Sequence, residues 1–353
     1  MGKKIGNFFM TTLNGMAYGL FATLIVGTII STIGKFFPTD NIVNTTLGNV
    51  SMLIQCITGM GIGAGVALAL KLDSLKTIAL ATVGEIAAFL SKSFNESGII
   101  TLDKIKIGDP LTIYIVVIIT VLLMGLVLRK KTPVDILIVP LFTITIGILA
   151  TFLVRIPCIY LTYGFQYVIN TATTLHPFLM GIIISVLMGM ALTAPISSAA
   201  IAAIVFTGSG EGLAIASGAA IIGCCTQMVG FAVQSIYDNK IGMVLSVGIG
   251  TSMLQFKNIM KKPIIWLPTI IASAILGPIA TCVLKVECLG SSAGMGTAGF
   301  VGQIGTLASM GNSVNVFLII ILFEIIAPIV LTFLIDLVFR KLNLIKKGDL
   351  KVE

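Results

Sequence analysis

The chain alternates between long apolar runs and short polar links, a pattern typical of repeated membrane crossings. A helix that crosses a bilayer needs about 20 mostly apolar residues. We predict ten spans, at residues 13–34, 47–70, 74–94, 111–128, 133–154, 177–206, 213–234, 241–256, 263–285 and 314–339. The sixth span is too long for one simple helix and the eighth is short, so both predict broken or re-entrant elements.

Composition excludes the soluble alternatives. Of the 353 residues, 57% are hydrophobic and only 10% are charged, and the mean hydropathy is +1.10. Soluble domains carry about 25% charged residues, so a soluble enzyme and an intrinsically disordered chain are both excluded. The basic residues form short clusters instead of a stripe on a soluble face, so no nucleic-acid partner is expected. The predicted fold class is an all-α polytopic membrane protein with about ten transmembrane helices and re-entrant hairpins.

The distribution of basic residues predicts the orientation in the bilayer. The formal net charge is +8. With both termini in the cytoplasm, the inner links hold 15 of the 22 Lys and Arg residues and the outer links hold 7. Cytoplasmic loops show this positive bias. The basic run at 129–131 is the strongest anchor of the predicted topology.

Residues 155–176 differ from the spans around them. They mix Tyr160, Tyr163 and Tyr167 with Thr, Gln and Asn, and such sequence is typical of the membrane interface. We predict an interfacial amphipathic segment here, either a helix or a loop. Most polar motifs follow it, so we predict a scaffold and dimerisation region at 1–154 and a solute-binding transport region at 177–353.

Polar residues at bilayer depth are costly and commonly mark a site or a pathway. The first such place is the sixth span, where proline removes a backbone hydrogen bond and hydroxyls can satisfy the freed carbonyls. Its candidate solute-binding residues are His176, Thr193, Pro195, Ser197 and Ser198. The alternatives are a hydroxyl-capped proline kink and a surface histidine.

The second and third places lie in the seventh and eighth spans. Gln227 and Gln234 share one helical face with two glycines, which suits hydrogen bonding to a hydroxyl-rich ligand. The same face equally suits close helix packing. Thr251, Ser252 and Gln255 end the short eighth span, where we expect a re-entrant element or an early helix end.

The fourth place is glycine-dense and contains Gly294, Gly296, Thr297 and Gln303. It matches the spacing G-x-G-x-x-G, but a dinucleotide fold needs a preceding strand and a soluble βαβ unit. Neither is predicted. A re-entrant loop is favoured, and a flexible external loop is the alternative.

Two carboxylates lie near the centres of predicted spans. Glu85 is in the third span and Glu324 in the tenth. Each is a candidate acceptor for solute hydroxyls or carrier of a coupling proton. The alternative is a structural carboxyl bonded to a neighbouring helix.

The sequence offers no catalytic centre, cofactor site or metal site. Its six cysteines include no C-x-x-C pair and no Cys/His cluster with metal-ligand spacing. A Walker loop is missing from the sequence as well. The chain is therefore at most the membrane subunit of an enzyme system.

Six stretches carry a family resemblance: HP at 176–177, LTAPISSAA at 192–200, GCCTQMVGFA at 223–232, GTSMLQ at 250–255, GP at 277–278 and GMGT at 294–297. Together they resemble the EIIC-type membrane family of the sugar phosphotransferase system, in the branch often called toxin-regulator or perfringolysin-regulator proteins. The resemblance implies a homodimeric permease of the bacterial cytoplasmic (inner) membrane, with re-entrant hairpins around a central solute site. It also implies a soluble IIB partner that carries the phosphoryl group, while the membrane component moves a small polar, sugar-like solute.

Two alternatives to this function stay open. Glucose-type relatives use a His and a Glu near the sugar, whereas His176 is the only histidine here and Glu211 and Glu287 have different surroundings. The first alternative is a secondary transporter driven by protons or ions without phosphotransfer. The second is a membrane sensor or regulator without net transport.

Overall fold

A computed structural model describes residues 2–34, 37–38, 41–92, 109–128, 132–196, 198–206 and 211–352. Within these ranges every regular element is a helix and no strand is present. The chain divides into two compact units, Met1–Leu161 (unit 1) and Thr162–Glu353 (unit 2). The predicted fold class, an all-α polytopic membrane protein, is confirmed.

Unit 1 is built from helices that approach one another closely. They are α1 (Gly2–Leu20), α2 (Val26–Gly34), α3 (Ile42–Cys56), α4 (Thr58–Ala69), α5 (Ser74–Lys92), α6 (Pro110–Val127) and α7 (Asp135–Ala172), whose end belongs to unit 2. Helix α4 packs between α1 and α5. A Cβ at Gly15 would overlap the carbonyl oxygen of Gly65, so only glycine permits this approach of two backbones.

Unit 2 contains more and shorter elements. Its α-helices are α8 (Pro177–Thr193), α9 (Ser198–Val205), α10 (Glu211–Gln234), α11 (Ile241–Leu245), α12 (Phe256–Lys261), α13 (Leu267–Pro278), α14 (Gly290–Ala293), α15 (Val301–Met310), α16 (Val314–Ile319) and α17 (Ala327–Lys341). Helix α10 is central and contacts α8, α13 and α17. A Cβ at Gly223 would overlap the Ser185 carbonyl, which fixes the crossing of α10 and α8.

Several helices of unit 2 are interrupted by tighter or wider turns. The π-helical turns are Ser246–Gly250, Ile279–Leu284 and Ile320–Ile326, and 3₁₀ turns occupy Ser252–Gln255 and Pro263–Trp266. π-bulges occur frequently at functional sites. These interruptions bring backbone and side-chain polar groups into an apolar interior.

The helices correspond to the predicted spans in position. Seven helices of the described chain are long and apolar enough to cross a membrane, and the pair α3 and α4, bent by 48°, adds an eighth. The other two predicted spans correspond to shorter apolar helices, Pro177–Thr193 and Ile241–Gly250. The break predicted inside the sixth span is present, since α8 ends at Thr193 and α9 begins at Ser198. Ten crossings remain a prediction.

Helix α7 is longer than the fifth predicted span. It runs for 38 residues through Pro140 and Pro157 to Ala172, so the sequence after 154 continues the helix. Proline at each position removes one backbone hydrogen bond, and the helix continues through both. The interfacial position of the 155–176 segment remains a prediction.

Candidate functional site

The candidate site begins at the break between α8 and α9. Ala194 is extended, with φ −71° and ψ 155°, and its N–H still bonds the Met190 carbonyl at 2.8 Å. Pro195 follows and carries no N–H. The chain therefore turns away directly after Thr193, whose side chain is fully buried.

Five side chains meet at this break and form what we call the Gln227 cluster: Thr193, Gln227, Ser252, Trp266 and Thr269. The Oε1 atom of Gln227 accepts hydrogen bonds from Trp266 Nε1 at 2.9 Å, Thr269 Oγ1 at 3.0 Å and Thr193 Oγ1 at 3.3 Å. The hydroxyls of Thr193 and Ser252 are 2.9 Å apart. The cluster joins α8, α10, α13 and the turns before α12 and α13, so it is a point where unit 2 is tied together.

In the described part of the chain, only the oxygen atom of the Gln227 side-chain amide has hydrogen-bond partners. Indole N–H groups can only donate, so the amide atom that faces Trp266 is the oxygen. The side-chain NH₂ then points elsewhere, and it has no hydrogen-bond partner among the described residues although it is buried. A buried donor without a partner costs about 1–3 kcal/mol. The cluster thus presents two unused N–H donors in the interior of unit 2.

The glycine-dense loop packs against the same part of unit 2. Ser198 Oγ donates to the Gly294 carbonyl at 2.7 Å, and Thr297 Oγ1 donates to the Gly248 carbonyl. Gly296 has φ +57°, and a Cβ there would come within 2.9 Å of the Cys224 backbone. Glycine is needed both for this left-handed conformation and for the close approach.

A second buried group, the Glu324 cluster, lies between α15 and the π-helical turn Ile320–Ile326. Glu324 is fully buried and accepts hydrogen bonds from Gln303 Nε2 at 2.8 Å and Thr306 Oγ1 at 2.7 Å. The sulfur of Cys225 on α10 is 3.3 Å from Gln303 Nε2. Among the described residues, no cationic side chain forms an ion pair with Glu324.

A third group ties the end of α10 to α17. Gln234 Nε2 donates to Asp336 Oδ1 at 3.2 Å and to the Ile265 carbonyl at 3.3 Å. Arg340 bonds the other Asp336 oxygen at 2.6 Å and stacks over Tyr237. The buried Asp336 charge is thereby paired, and Gln234 serves this contact rather than the Gln227 cluster.

Several predicted residues lie apart from the Gln227 cluster. His176 is exposed at the start of α8, where its Nδ1 accepts from the Phe178 N–H at 3.4 Å. Glu85 belongs to unit 1 and accepts from the Met60 N–H at 3.0 Å, which satisfies a backbone donor in the first turn of α4. Thr251 bonds the Met253 N–H at the start of its turn. Ser197 lies outside the described residues.

Sequence reasoning missed two members of the cluster. Trp266 and Thr269 are three residues apart and face α10 from the start of the ninth span. Trp266 is the single tryptophan of the chain, and an indole with a polar hydrogen on an apolar span is a usable signal. A group of three His, Cys, Asp or Glu that could hold a metal ion does not occur in the described part of the chain.

Interrupted apolar helices around buried polar clusters define a multi-pass membrane protein with a polar interior. Residues 10–352 match the family described as phosphotransferase system, EIIC. The chain therefore belongs to this family and is the membrane component of a phosphotransferase permease. No protein with a curated description and no solved structure matches the chain.

Proposed function

We propose that this EIIC chain moves a small, hydroxyl-rich and sugar-like solute, and that the Gln227 cluster forms part of the solute site. The observation that carries the proposal is the buried NH₂ group of Gln227, which has two donors and no partner in the described chain. A solute hydroxyl that accepts from this group would remove the cost of an unpaired donor.

The chemistry of the cluster matches hydroxyl groups. An amide offers donors and an acceptor, and the Thr193 and Ser252 hydroxyls can each donate once and accept twice. A sugar hydroxyl also donates and accepts, so it can bond to the amide and to a hydroxyl together. Trp266 adds a flat apolar surface at the edge of the cluster.

The position of the cluster supports a transport mechanism in which elements of unit 2 move. Its members come from three α-helices and two turns, and the chain is non-helical at 194–196 and at Thr251. Discontinuous helices around a central site are a common feature of transporters, which work by rocking or gating one part against another. All four polar members other than Trp266 are fully buried, so solute entry requires these elements to separate.

The family implies the partners of this chain. The sequence offers no catalytic centre, so we assign the phosphoryl transfer to a separate protein. A soluble IIB protein supplies the phosphoryl group, and the chain acts as a homodimer in the bacterial cytoplasmic membrane with both termini inside. The basic stretch 257–262 is less open to a docking protein than its charge implies. Lys257 is buried, and Lys262 is paired with Asp349 at 2.5 Å.

The intrinsic fluorescence of Trp266 gives a direct binding assay. Because this single tryptophan donates to Gln227, a solute at the cluster should change its emission. Purified protein is titrated with sugars, polyols, nucleosides and organic acids. A saturable change with members of only one class identifies the solute class, and a flat response to all four contradicts the proposed site.

A pair of neighbouring variants tests the role of Gln227. Gln227→Leu should weaken solute binding by about 5- to 150-fold, the effect of one buried hydrogen bond of about 1–3 kcal/mol. Thr226→Val is the matched control, because Thr226 is equally buried but its hydroxyl bonds only the Ile222 carbonyl of its own helix. Equal affinities of the two variants would contradict the assignment.

Uptake into proteoliposomes tests the energy source. Product that appears as a phosphate ester only with phosphorylated IIB supports the phosphotransferase mechanism. Flux that ignores IIB and follows a proton gradient supports a secondary transporter instead. Solute binding without flux in either assay supports a sensor.

One observation favours the secondary transporter as the second candidate. Glu324 is fully buried and has hydrogen-bond donors but no cationic partner in the described chain. A carboxylate in such a place is stable only when it is protonated or paired with a cation. Gradient-driven flux that is lost in Glu324→Gln, with solute binding retained, would establish this candidate.

A further inference from the structure

The segment that follows α17 folds back onto unit 2. Ile345 and Leu350 are buried in it, with exposed fractions of 2% and 0%. Residues at this depth are part of the packed structure, so the 345–352 segment is an integral element of unit 2.

Two loop residues after α10 hold the backbone of this segment. Asp238 accepts from the Gly348 N–H at 2.7 Å and from the Leu350 N–H at 3.1 Å. Asn239 donates to the Leu350 carbonyl at 2.8 Å and accepts from the Val352 N–H at 2.8 Å. These bonds fix four backbone groups at the alternate residues 348, 350 and 352, as a neighbouring strand would.

The same segment also holds the turn that carries Ser252. Gln255 Nε2 donates to the Leu350 carbonyl at 3.0 Å, and its Oε1 accepts from Asn258 Nδ2 at 2.8 Å. Asn258 in turn donates to the Lys351 carbonyl at 3.1 Å. Gln255 closes the 3₁₀ turn that begins at Ser252, so the Leu350 carbonyl fixes one end of this turn.

Ser252 at the other end of the turn belongs to the Gln227 cluster. Its hydroxyl is 2.9 Å from that of Thr193, which donates to Gln227 Oε1, the atom that Trp266 also meets. Hydrogen bonds and the short turn Ser252–Gln255 therefore connect Leu350 continuously with Trp266.

We infer that the 345–352 segment is a positioning element of the solute site: through Gln255 it holds the Ser252–Gln255 turn where Ser252 reaches the Gln227 cluster. The inference rests on the proposed function for its meaning in transport, but the contacts themselves need no solute. A protein that bound this segment and drew it away from unit 2 would remove the contact that holds the Ser252–Gln255 turn.

Two variants separate the segment from its connection to the site. A chain ended after Lys347 removes the contacts of 348–352. Gln255→Leu keeps the segment on Asp238 and Asn239 but removes its bond to the turn. Asp73→Asn is the control, because Asp73 accepts from the Lys76 backbone and pairs with its side chain in unit 1.

Hydrogen exchange and Trp266 quenching are measured without solute. In both test variants, backbone exchange at 251–255 should accelerate by about fivefold, the factor for one lost hydrogen bond, and acrylamide should quench Trp266 more strongly. The control variant should leave both unchanged. With a solute found in the fluorescence screen, the Kd should rise by about fivefold in both test variants.

Three results would overturn the inference. The first is unchanged exchange and quenching in the shortened chain. The second is a uniform rise in exchange over the whole of unit 2, which indicates general destabilisation. The third is a response in the shortened chain that Gln255→Leu does not reproduce. If no solute binds but both responses appear, the proposed function fails and the positioning role stands.

Discussion

The two units bury different kinds of polar residue. In unit 1, the buried polar side chains of the described residues are serines and threonines, together with Tyr114, so the polar group of each is a hydroxyl. Unit 2 also buries amides, carboxylates and a lysine, which are Gln227, Gln234, Gln255, Gln303, Lys257, Asn258, Glu324 and Asp336. Both units belong to one apolar chain, so overall hydrophobicity does not account for the difference.

Hydroxyls in unit 1 mostly bond inside their own helix. Thr23, Thr120 and Thr143 each donate to the carbonyl four residues earlier. Such bonds need no other helix, so they leave the packing surface apolar. The amides and carboxylates of unit 2 bond across helices and depend on the arrangement of their neighbours. Unit 1 is therefore suited to static packing, which supports the proposed scaffold, and unit 2 to a site.

Helices approach each other closely at glycines in both units. Replacing these glycines should have the largest effect on stability. Gly223→Leu in unit 2 and Gly15→Leu in unit 1 each place a side chain against backbone that cannot move aside. We expect each to destabilise its unit by about 3 kcal/mol, at the upper end for overpacking. Unfolding temperature in detergent is the measurement.

Gly48→Leu is the matched control for both variants, because a Cβ at Gly48 meets nothing within 4 Å. It should leave the unfolding temperature unchanged or raise it, since leucine is a better helix former. A strong effect in only one unit would mean that the units also differ in how tightly their helices must pack.

The carboxylates Glu324 in unit 2 and Glu85 in unit 1 allow a direct comparison of how much each unit depends on a polar side chain. Glu324→Leu leaves the buried donors of Gln303 and Thr306 without an acceptor, and we expect a loss of about 2 kcal/mol. Glu85→Leu frees only one backbone N–H at a half-buried position, so we expect about 0.5–1 kcal/mol. Thermal unfolding of both variants is compared with that of Glu324→Gln, which keeps an acceptor oxygen.

A loss of equal size in the two leucine variants would contradict the interpretation that unit 2 depends on cross-helix polar bonds. A loss in Glu324→Gln as large as in Glu324→Leu would show that the second oxygen or the charge of Glu324 is required.

The fold was largely predictable because apolar length determines membrane helices. Helix positions, the break at Pro195 and the shortness of the eighth span all follow from local sequence. The end of α7 did not, because Pro157 and the polar residues after it indicate the end of an apolar run, whereas the helix continues through them to Ala172. Most of the described side chains from 157 to 172 are exposed, so packing against neighbouring helices gives no account of the longer helix either.

The candidate site was predictable in part. Gln227, Thr193 and Ser252 were each identified from a polar residue in an apolar run, and the structure brings them together. Their partners come from sequence positions 34 and 59 residues away from Thr193, so no local pattern could predict the pairing. Gln255 was identified by the same criterion, yet it bonds the 345–352 segment, whose short polar sequence gave no indication of burial.

The smallest predicted effect concerns the ion pair that holds this segment. Partial burial of Asp349 opposes its ionisation, but hydrogen bonds from Lys262 and from the Lys346 N–H, with the charges of Lys262 and Arg340, outweigh it and hold the pKa of Asp349 below its usual value. A depressed folded-state pKa adds stability above the unfolded value of about 3.9, and this stability is lost as the pH falls through the folded value. At pH 7 the pair should contribute no more than about 1 kcal/mol, since it is partly exposed. Unfolding temperatures of the unaltered chain and Asp349→Asn should therefore differ slightly at pH 7 and converge in acid, and Lys262→Met should remove the same difference. A gap that persists below the folded pKa would mean that Asp349 stabilises the segment by shape rather than by charge.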